Sequence, residues 1–307
     1  HKEYRRQRQM CIRDRFVIIS SNFHPTELYK NGLQRNDFLP FIDYVLDKFN
    51  LSGKYALVTG GGTGIGKAIA NGLAEAGADV AVTGRTLSTI EDTAQGIRDI
   101  GRESIAVQMD VTNKKSVDEG VDRVIDRWGK LDIEINNSGQ FCWIDGVEVD
   151  EQDWERIMDT NVKGIFFLTQ QLLPLLRQSG NPENPSRVIN IGSIDGIKTG
   201  TFDAFSYGPS KAAVHHLTRV LAASLIKEHI IVNAIAPGPF PTWMLSTGVG
   251  GGGDTDIDWS AVGQSNPSGR VGNAEDIAGL AIFLSSRAGA YTVGQTIACD
   301  GGAVASS

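Results

Sequence analysis

A tyrosine and a lysine stand four residues apart in Tyr207-Gly208-Pro209-Ser210-Lys211. On a helix that spacing puts both side chains on one face, close enough to interact. A lysine charge beside a phenol lowers the phenol's pKa and makes it a usable acid or base near neutral pH. Far upstream, Thr59-Gly60-Gly61-Gly62-Thr63-Gly64-Ile65-Gly66 supplies a glycine-rich turn. Glycine there tolerates positive φ and lets the backbone approach a pyrophosphate, whose charge a helix N-terminus favours. A proton-transfer pair and a phosphate cradle in one chain imply hydride chemistry at a carbonyl.

The glycines carry that meaning only between a strand and a helix. Tyr55–Thr59 reads as a short apolar strand, and Lys67–Ala76 has helical composition. Gly60, Gly64 and Gly66 therefore lie in the required context. Further strands are expected at Asp79–Thr83, Ser104–Gln108, Leu131–Ile135, Arg187–Ile191, Ile230–Ile235 and Gln295–Ala298. Helices are expected at Ser88–Ile100, Ser116–Trp128, Glu151–Arg177 and from Tyr207 to about Lys227. Short apolar strands alternating with amphipathic helices imply a parallel sheet covered on both faces. Right-handed crossovers make it an α/β, doubly wound sheet of the Rossmann type, a single domain with its ligand at the carboxyl ends of the strands.

The end of the second strand reports on cofactor choice. A carboxylate there accepts from the ribose 2′-OH of NAD, whereas a nearby arginine suits the 2′-phosphate of NADP. The strand ends Thr83-Gly84-Arg85, with a guanidinium and no carboxylate, which favours NADP(H) over NAD(H). Thr63, inside the glycine turn, adds no second positive charge.

Composition narrows the remaining classes. The chain has 307 residues, 41% of them hydrophobic, enough for one substantial core. No apolar run reaches the ~20 residues needed to span a bilayer. A formal charge of −7 and a pI near 5.3 argue against a nucleic-acid surface. Cys11, Cys142 and Cys299 form no CxxC pair, so neither a disulfide framework nor a metal site is expected, and the chain reads as a cytoplasmic protein.

The N-terminus is unlike the rest. Residues 1–15 are basic and aperiodic, lack the apolar core of a signal peptide, and read as a non-native leader resembling translated sequencing-adapter DNA. Arg5–Arg15 holds five arginines and one aspartate, so without it the formal charge falls from −7 to −11. Residues 16–50 form an N-terminal extension in which Phe38, Phe41, Ile42, Val45, Leu46 and Phe49 have the spacing of a short helix packing on the main domain. The dinucleotide-binding oxidoreductase domain takes in 51–307, with a glycine-rich substrate loop near 240–270. Within it, Gly248–Gly253 reads either as a surface loop or as a mobile flap over the substrate.

From Leu51 to Gly302 these motifs, in order, resemble the short-chain dehydrogenase/reductase family. They are the glycine turn, Asp110-Val111 after the third strand, Asn136-Asn137-Ser138-Gly139, Asn161 within a long helix, Ser193 after the fifth strand, Tyr207 with Lys211, and Pro237-Gly238 with Thr242. Leu172–Arg177, Glu183–Gly192, Tyr207–Ala213 and His229–Pro237 resemble a narrower group, the 3-oxoacyl reductases of the rhamnolipid type. The resemblance implies that Tyr207 is the general acid or base, that Ser193 hydrogen-bonds the substrate oxygen, and that Lys211 also holds the nicotinamide ribose. It implies that Asn161 supports a water-linked proton path to Lys211. It also places Gly60, Thr63, Gly64, Ile65, Gly66, Arg85, Asp110, Val111, Asn137, Pro237, Gly238 and Thr242 around the cofactor, and implies a homodimer or homotetramer. Ser193 and Tyr207 are fourteen residues apart, near the family's spacing. Ser138 departs from the usual alanine.

Three features stay open. His215-His216 could hold a metal, but adjacent helix residues point in different directions and packing is the simpler expectation. Cys142 could face the substrate or be inert. Glu134 lies in a central strand where the family carries an apolar residue. It needs a buried partner or reflects a sequence error.

The expected function is interconversion of a ketone and a secondary alcohol with NADP(H), the substrate being a small molecule or a 3-oxoacyl thioester. A carrier-protein thioester would call for basic surface at the site's mouth, for which Lys198 and Arg270 are the candidates. The alternatives are a sugar-acid or other secondary-alcohol dehydrogenase, and a cofactor-binding protein that has lost catalysis.

Overall fold

Strands that are apolar on both faces need cover on both, and the architecture follows from that need. The computed structural model describes residues 35–141, 147–199, 204–249 and 257–306. The leader, Cys142 and residues 250–253 of the glycine run lie outside the described residues. The chain divides after Lys48. α1 (Arg35–Phe49), carrying the apolar spacing read in the sequence, ends one residue past that division.

The larger unit alternates strand and helix: β1 (Tyr55–Thr59), α2 (Gly64–Glu75), β2 (Asp79–Gly84), α3 (Leu87–Asp99), β3 (Ser104–Gln108), α4 (Lys114–Trp128) and β4 (Ile133–Asn136). Then come α5 (Glu151–Met158), a π turn (Asp159–Lys163), α6 (Gly164–Ser179), β5 (Ser186–Ile191), α7 (Tyr207–Leu225) and β6 (Ile230–Pro237). The remainder is α8 (Trp243–Val249), α9 (Trp259–Gln264), α10 (Ala274–Ser285) and β7 (Thr296–Cys299). The strands form one parallel sheet in the order β3-β2-β1-β4-β5-β6-β7. The order reverses between β1 and β4, which opens a crevice at their carboxyl ends.

Alternate residues of each strand feed two cores. Ala56, Val58, Val80 and Val82 pack under α2, α3 and α10, while Leu57, Ala81, Val188 and Val232 pack under α4, α6 and α7. Several features escaped the sequence reading, among them α8 and α9, which lie where a glycine-rich loop near 240–270 was expected. α10 is almost uniformly apolar, so no 3.6-residue period marks it, although Asn273 and Asp276 form a capping box at its start. It lies so close to α2 that a Cβ on Gly72 would sit 2.5 Å from Ala278 Cβ. The expected single helix from Glu151 is broken by the π turn that holds Asn161.

Glu134 finds polar partners within the second core. It is fully buried, and its Oε1 accepts from Thr169 Oγ1 at 2.7 Å and from Asn136 Nδ2 at 2.9 Å. Asn136 Nδ2 also reaches Asn190 Oδ1 at 3.0 Å, and Asn190 Nδ2 donates to Thr218 Oγ1 at 2.9 Å. A polar chain thus crosses the sheet from α6 to α7. No cation joins it among the described residues, and burial pushes the Glu134 carboxyl up to about 7 against two opposing hydrogen bonds. A folded-state pKa above the unfolded value gives stability that is complete below the unfolded pKa of 4.5 and lost as pH rises through about 7. The loss is on the order of 3 kcal/mol, large against the 5–15 kcal/mol typical of a domain. The melting temperature of the wild type is therefore expected to fall by several degrees between pH 5 and pH 8, the interval that spans the unfolded and folded pKa values. Glu134→Gln, which keeps the Oε1 acceptor and cannot ionise, should abolish most of that fall; parallel curves for the two proteins would contradict the assignment.

Candidate active site

Every site residue expected from sequence, Asn161 excepted, lines one cleft of about 1880 Å³ at the carboxyl ends of the strands. Its floor is the turn between β1 and α2. Gly60 and Gly64 have φ of +62° and +53°, conformations that side chains rarely adopt. A Cβ on Gly66 would fall inside the Gly60 carbonyl oxygen, so that position admits only glycine. Thr59 Oγ1 accepts the backbone N–H groups of Asn137 and Ser138, both at 2.9 Å. Asn137 Nδ2 in turn donates to the carbonyls of Thr59 (2.9 Å) and Gly60 (3.2 Å). The turn is thereby locked to the end of β4. Thr63 stands at the N-cap of α2 with no side-chain cap bond, and the first turn of that helix holds no acidic residue.

The other cofactor candidates rim this floor. Asp110 Oδ1 accepts from the backbone N–H and hydroxyl of Thr112, at 2.9 and 2.7 Å. Val111 packs on α6, where a Cβ at Gly164 would lie 3.0 Å from its Cγ2. Gly238 N, just past Pro237, donates to Cys299 O at 3.0 Å. The Thr242 methyl covers the turn, 3.2 Å from where a Gly64 Cβ would stand. Ile65 and Arg85 complete the rim. Arg85 is exposed, and among the described residues its guanidinium has no carboxylate partner. A tight glycine cradle, a helix N-terminus free of acids and an unpaired arginine fit a dinucleotide with a phosphorylated ribose.

Tyr207 opens α7 and lies one turn before Lys211. Its side chain hydrogen-bonds Ser193, whose Oγ also accepts from Asp195 N at 3.2 Å. The Phe141 ring packs 4.8 Å from the Tyr207 ring, centroid to centroid. Lys211 is buried; its Nζ donates to Ile191 O at 2.9 Å and lies 5.5 Å from the Tyr207 ring centroid.

The expected lowering of the Tyr207 pKa is not found. Burial raises it, the nearby Asp195 carboxyl adds to the rise, and the Ser193 hydrogen bond only partly opposes them. The ring edge is half-exposed to the cleft, yet protein surrounds the rest of it. Lys211 spends its ammonium on the Ile191 carbonyl, and burial pushes its own pKa down to about 8. A phenol whose pKa is raised is the weaker acid, and donation to a carbonyl oxygen is the direction of proton transfer open to it.

Asn161 stands behind the cleft wall, wholly buried. The π turn aims it at the strand-end loop: its Oδ1 accepts from Gln140 N at 2.7 Å and its Nδ2 donates to Gln140 O at 3.0 Å. Nδ2 also donates to Ser210 Oγ at 3.0 Å, and that hydroxyl donates to Tyr207 O at 2.7 Å. Ser210, Gln140 and Phe141 were missed by the sequence reading, although Ser210 sits inside the Tyr–Lys motif itself. A π widening is frequent at functional sites and leaves no simple sequence mark.

His215 is buried and His216 exposed, its Nδ1 3.3 Å from Arg219, so the two do not converge. Among the described residues no group of His, Cys, Asp or Glu could hold a metal ion. Of the two basic candidates, Lys198 lines the cleft with its Nζ donating to Ala303 O at 2.6 Å, and Arg270 pairs with Asp276 outside it. Among the described residues no helix is long and apolar enough to cross a membrane.

Comparison with known proteins agrees with this geometry. The family model described as enoyl-(acyl carrier protein) reductase matches residues 60–304. The rhamnolipids biosynthesis 3-oxoacyl-[acyl-carrier-protein] reductase of Pseudomonas aeruginosa is 43% identical over 255 residues, 83% of this chain and 97% of the relative. A 2-dehydro-3-deoxy-D-gluconate 5-dehydrogenase of Dickeya dadantii is 36% identical over 84% of this chain and 98% of the relative. Among solved structures, the Pseudomonas aeruginosa RhlG/NADP active-site complex superposes with a TM-score of 0.75 at 41% identity, covering 84% of this chain and 99% of that one. A gluconate 5-dehydrogenase from Burkholderia cenocepacia, in complex with NADP and tartrate, gives 0.76 at 32% identity over 86% and 99%. The chain belongs to the short-chain dehydrogenase/reductase family and is an NAD(P)-dependent oxidoreductase.

Proposed function

We propose that this protein reduces a ketone to a secondary alcohol with NADPH, and that its substrate is a lipophilic 3-oxoacyl thioester. The observation that carries the reading is the Tyr207 phenol hydrogen-bonded to Ser193 in the same cleft as a glycine cradle. A nicotinamide cofactor held by the glycine turn, Arg85 and Lys211 would supply the hydride for the carbonyl carbon. Tyr207 donates its proton to the carbonyl oxygen, and Ser193 hydrogen-bonds the same oxygen as charge develops on it. With the cofactor bound, Lys211, cationic below about pH 8 and 5.5 Å from the Tyr207 ring centroid, would hold the nicotinamide ribose while its charge steadies the phenolate that remains. Asn161 holds the Gln140 backbone beside Lys211, where a water-linked proton path would run.

Substrate class rests on the cleft wall. Phe141, Trp243, Met244, Leu245 and Val262 face it, which suits an aliphatic chain. The Pseudomonas aeruginosa relative, named a 3-oxoacyl-[acyl-carrier-protein] reductase, supports the same class. One corner favours the second reading, a sugar-acid dehydrogenase. There Arg156 lines the cleft, held by Gln140 at 2.8 Å and Asp153 at 2.5 Å, and a substrate carboxylate would take the place of Asp153 on its guanidinium. The relatives named gluconate dehydrogenases support this alternative.

Preference for NADP(H) rests on Arg85 and the missing acidic residue after β2. Arg85→Ala is expected to raise the KM for NADPH about tenfold, the cost of one charge-assisted phosphate contact, and to leave that for NADH unchanged. A wild type that uses NADH as well as NADPH would remove the preference. Oxidation of NADPH against 3-oxoacyl thioesters and keto sugar acids should be fastest with the thioesters. Tyr207→Phe should lose at least about a hundredfold in kcat while binding NADPH normally. Faster turnover of the sugar acids would select the second reading, and wild-type kcat in the Tyr207→Phe variant would remove the acid role.

A further inference from the structure

His215 is a buried titratable side chain with no part in the chemistry above. It follows Lys211 by one turn on α7 and is 4% exposed. Its ring lies beneath the loop that carries Ser193. All three atoms nearest to a Cβ built on Gly192 belong to the His215 ring, and the closest, Nε2, would be overlapped. A Cβ on Gly196 would lie 2.8 Å from Cε1 of the same ring. The ring hydrogen-bonds the Gly196 backbone, and its Nε2 is buried without a partner. The two glycines bracket Ser193 and the 3-10 turn Ile194–Gly196, which Ser193 caps. Gly192 is held on its other side by β6, through a bond from its N–H to Ile235 O at 2.7 Å.

The geometry points to His215 as a positioning residue for Ser193. Its imidazole is the spacer that sets the height of the Ser193 loop above α7, and so the distance from the Ser193 hydroxyl to the Tyr207 phenol. α7 carries Tyr207, Lys211 and His215 on successive turns, so one rigid element fixes the acid, its cation and the support of the serine. An aliphatic side chain of similar size would fill the space but could not bond Gly196. A smaller one would let the loop settle by a fraction of an ångström, enough to misalign a proton-transfer pair. Burial and the neighbouring charges of Lys211 and Arg219 push the His215 pKa down to about 4, so the ring is a neutral strut over the working range.

This inference rests on Ser193 and Tyr207 acting together, and a double-mutant cycle separates its failure from theirs. His215→Ala is expected to lower kcat for ketone reduction at least tenfold while KM for NADPH and NADPH fluorescence titration stay within twofold. In a Ser193→Ala background the same change should alter kcat less than twofold, because the residue it positions is gone. Losses that multiply independently, or an unchanged kcat in the single variant, would overturn the proposal. If Ser193→Ala alone keeps wild-type kcat, the catalytic reading fails and not merely the role of His215. Gly192→Ala gives a second route if His215→Ala does not fold. Its methyl presses on the ring from the loop side and should cost turnover with Ser193 present and little without it, NADPH binding being retained. Equal losses in both backgrounds would again refute the strut.

Discussion

The Thr59 hydroxyl is the point on which the site depends. It takes two backbone N–H groups from Asn137 and Ser138, while Asn137 returns two bonds to the carbonyls of Thr59 and Gly60. These bonds join the carboxyl ends of β1 and β4 at the crevice where the strand order reverses. At that crevice the strand ends leave backbone polar groups without ladder partners, and here side chains satisfy them. The glycine turn can then be rigid without a side chain of its own. Gly66 sits against the Gly60 carbonyl because nothing larger would fit.

From this joint the catalytic groups follow by short covalent and hydrogen-bonded steps. Three residues after Asn137, Gln140 is gripped on both backbone groups by Asn161, which also holds Ser210 and through it the first turn of α7. Lys211 closes the ring by bonding Ile191 O, two residues before Ser193. Tyr207, Lys211, Ser193 and Asn161 thus belong to one connected network rather than to four independent loops. Such preorganisation is what lets fixed dipoles and donors act on a developing oxyanion. Behind it the chain Glu134–Asn136–Asn190–Thr218 repeats the device deeper in the sheet, at the cost of burying a carboxyl group that holds its proton near neutrality.

Most of the fold was legible because parallel strands and their covering helices carry strong local signals. Tyr55–Thr59, Asp79–Thr83 and Ser104–Gln108 read as uninterrupted apolar runs, and the strands begin where the runs begin. α10 was missed since a helix buried almost all round has no polar face to reveal its period. The π turn was missed since it costs one extra residue and no change in composition. In the site, the residue types and their order were readable, and all but Asn161 reached the same cleft. Electrostatics were not readable. Four-residue spacing placed Lys211 beside Tyr207, but whether the ammonium acts on the phenol or on a carbonyl depends on where β5 ends, and the structure directs it to Ile191 O. Burial and the Asp195 carboxyl then raise the phenol's pKa against the Ser193 hydrogen bond.

That phenol, in the same cleft as the glycine cradle, is the centre of the account, and isotope transfer tests it most directly. NADPH carrying deuterium at the transferable C4 position would be incubated with a 3-oxoacyl thioester, and the product examined by mass spectrometry and NMR. The account predicts one deuterium on the new carbinol carbon with wild-type protein, and almost none in the same time with Tyr207→Phe. Tight NADPH binding with no deuterium in any ketone offered would contradict it and identify a cofactor-binding protein without catalysis.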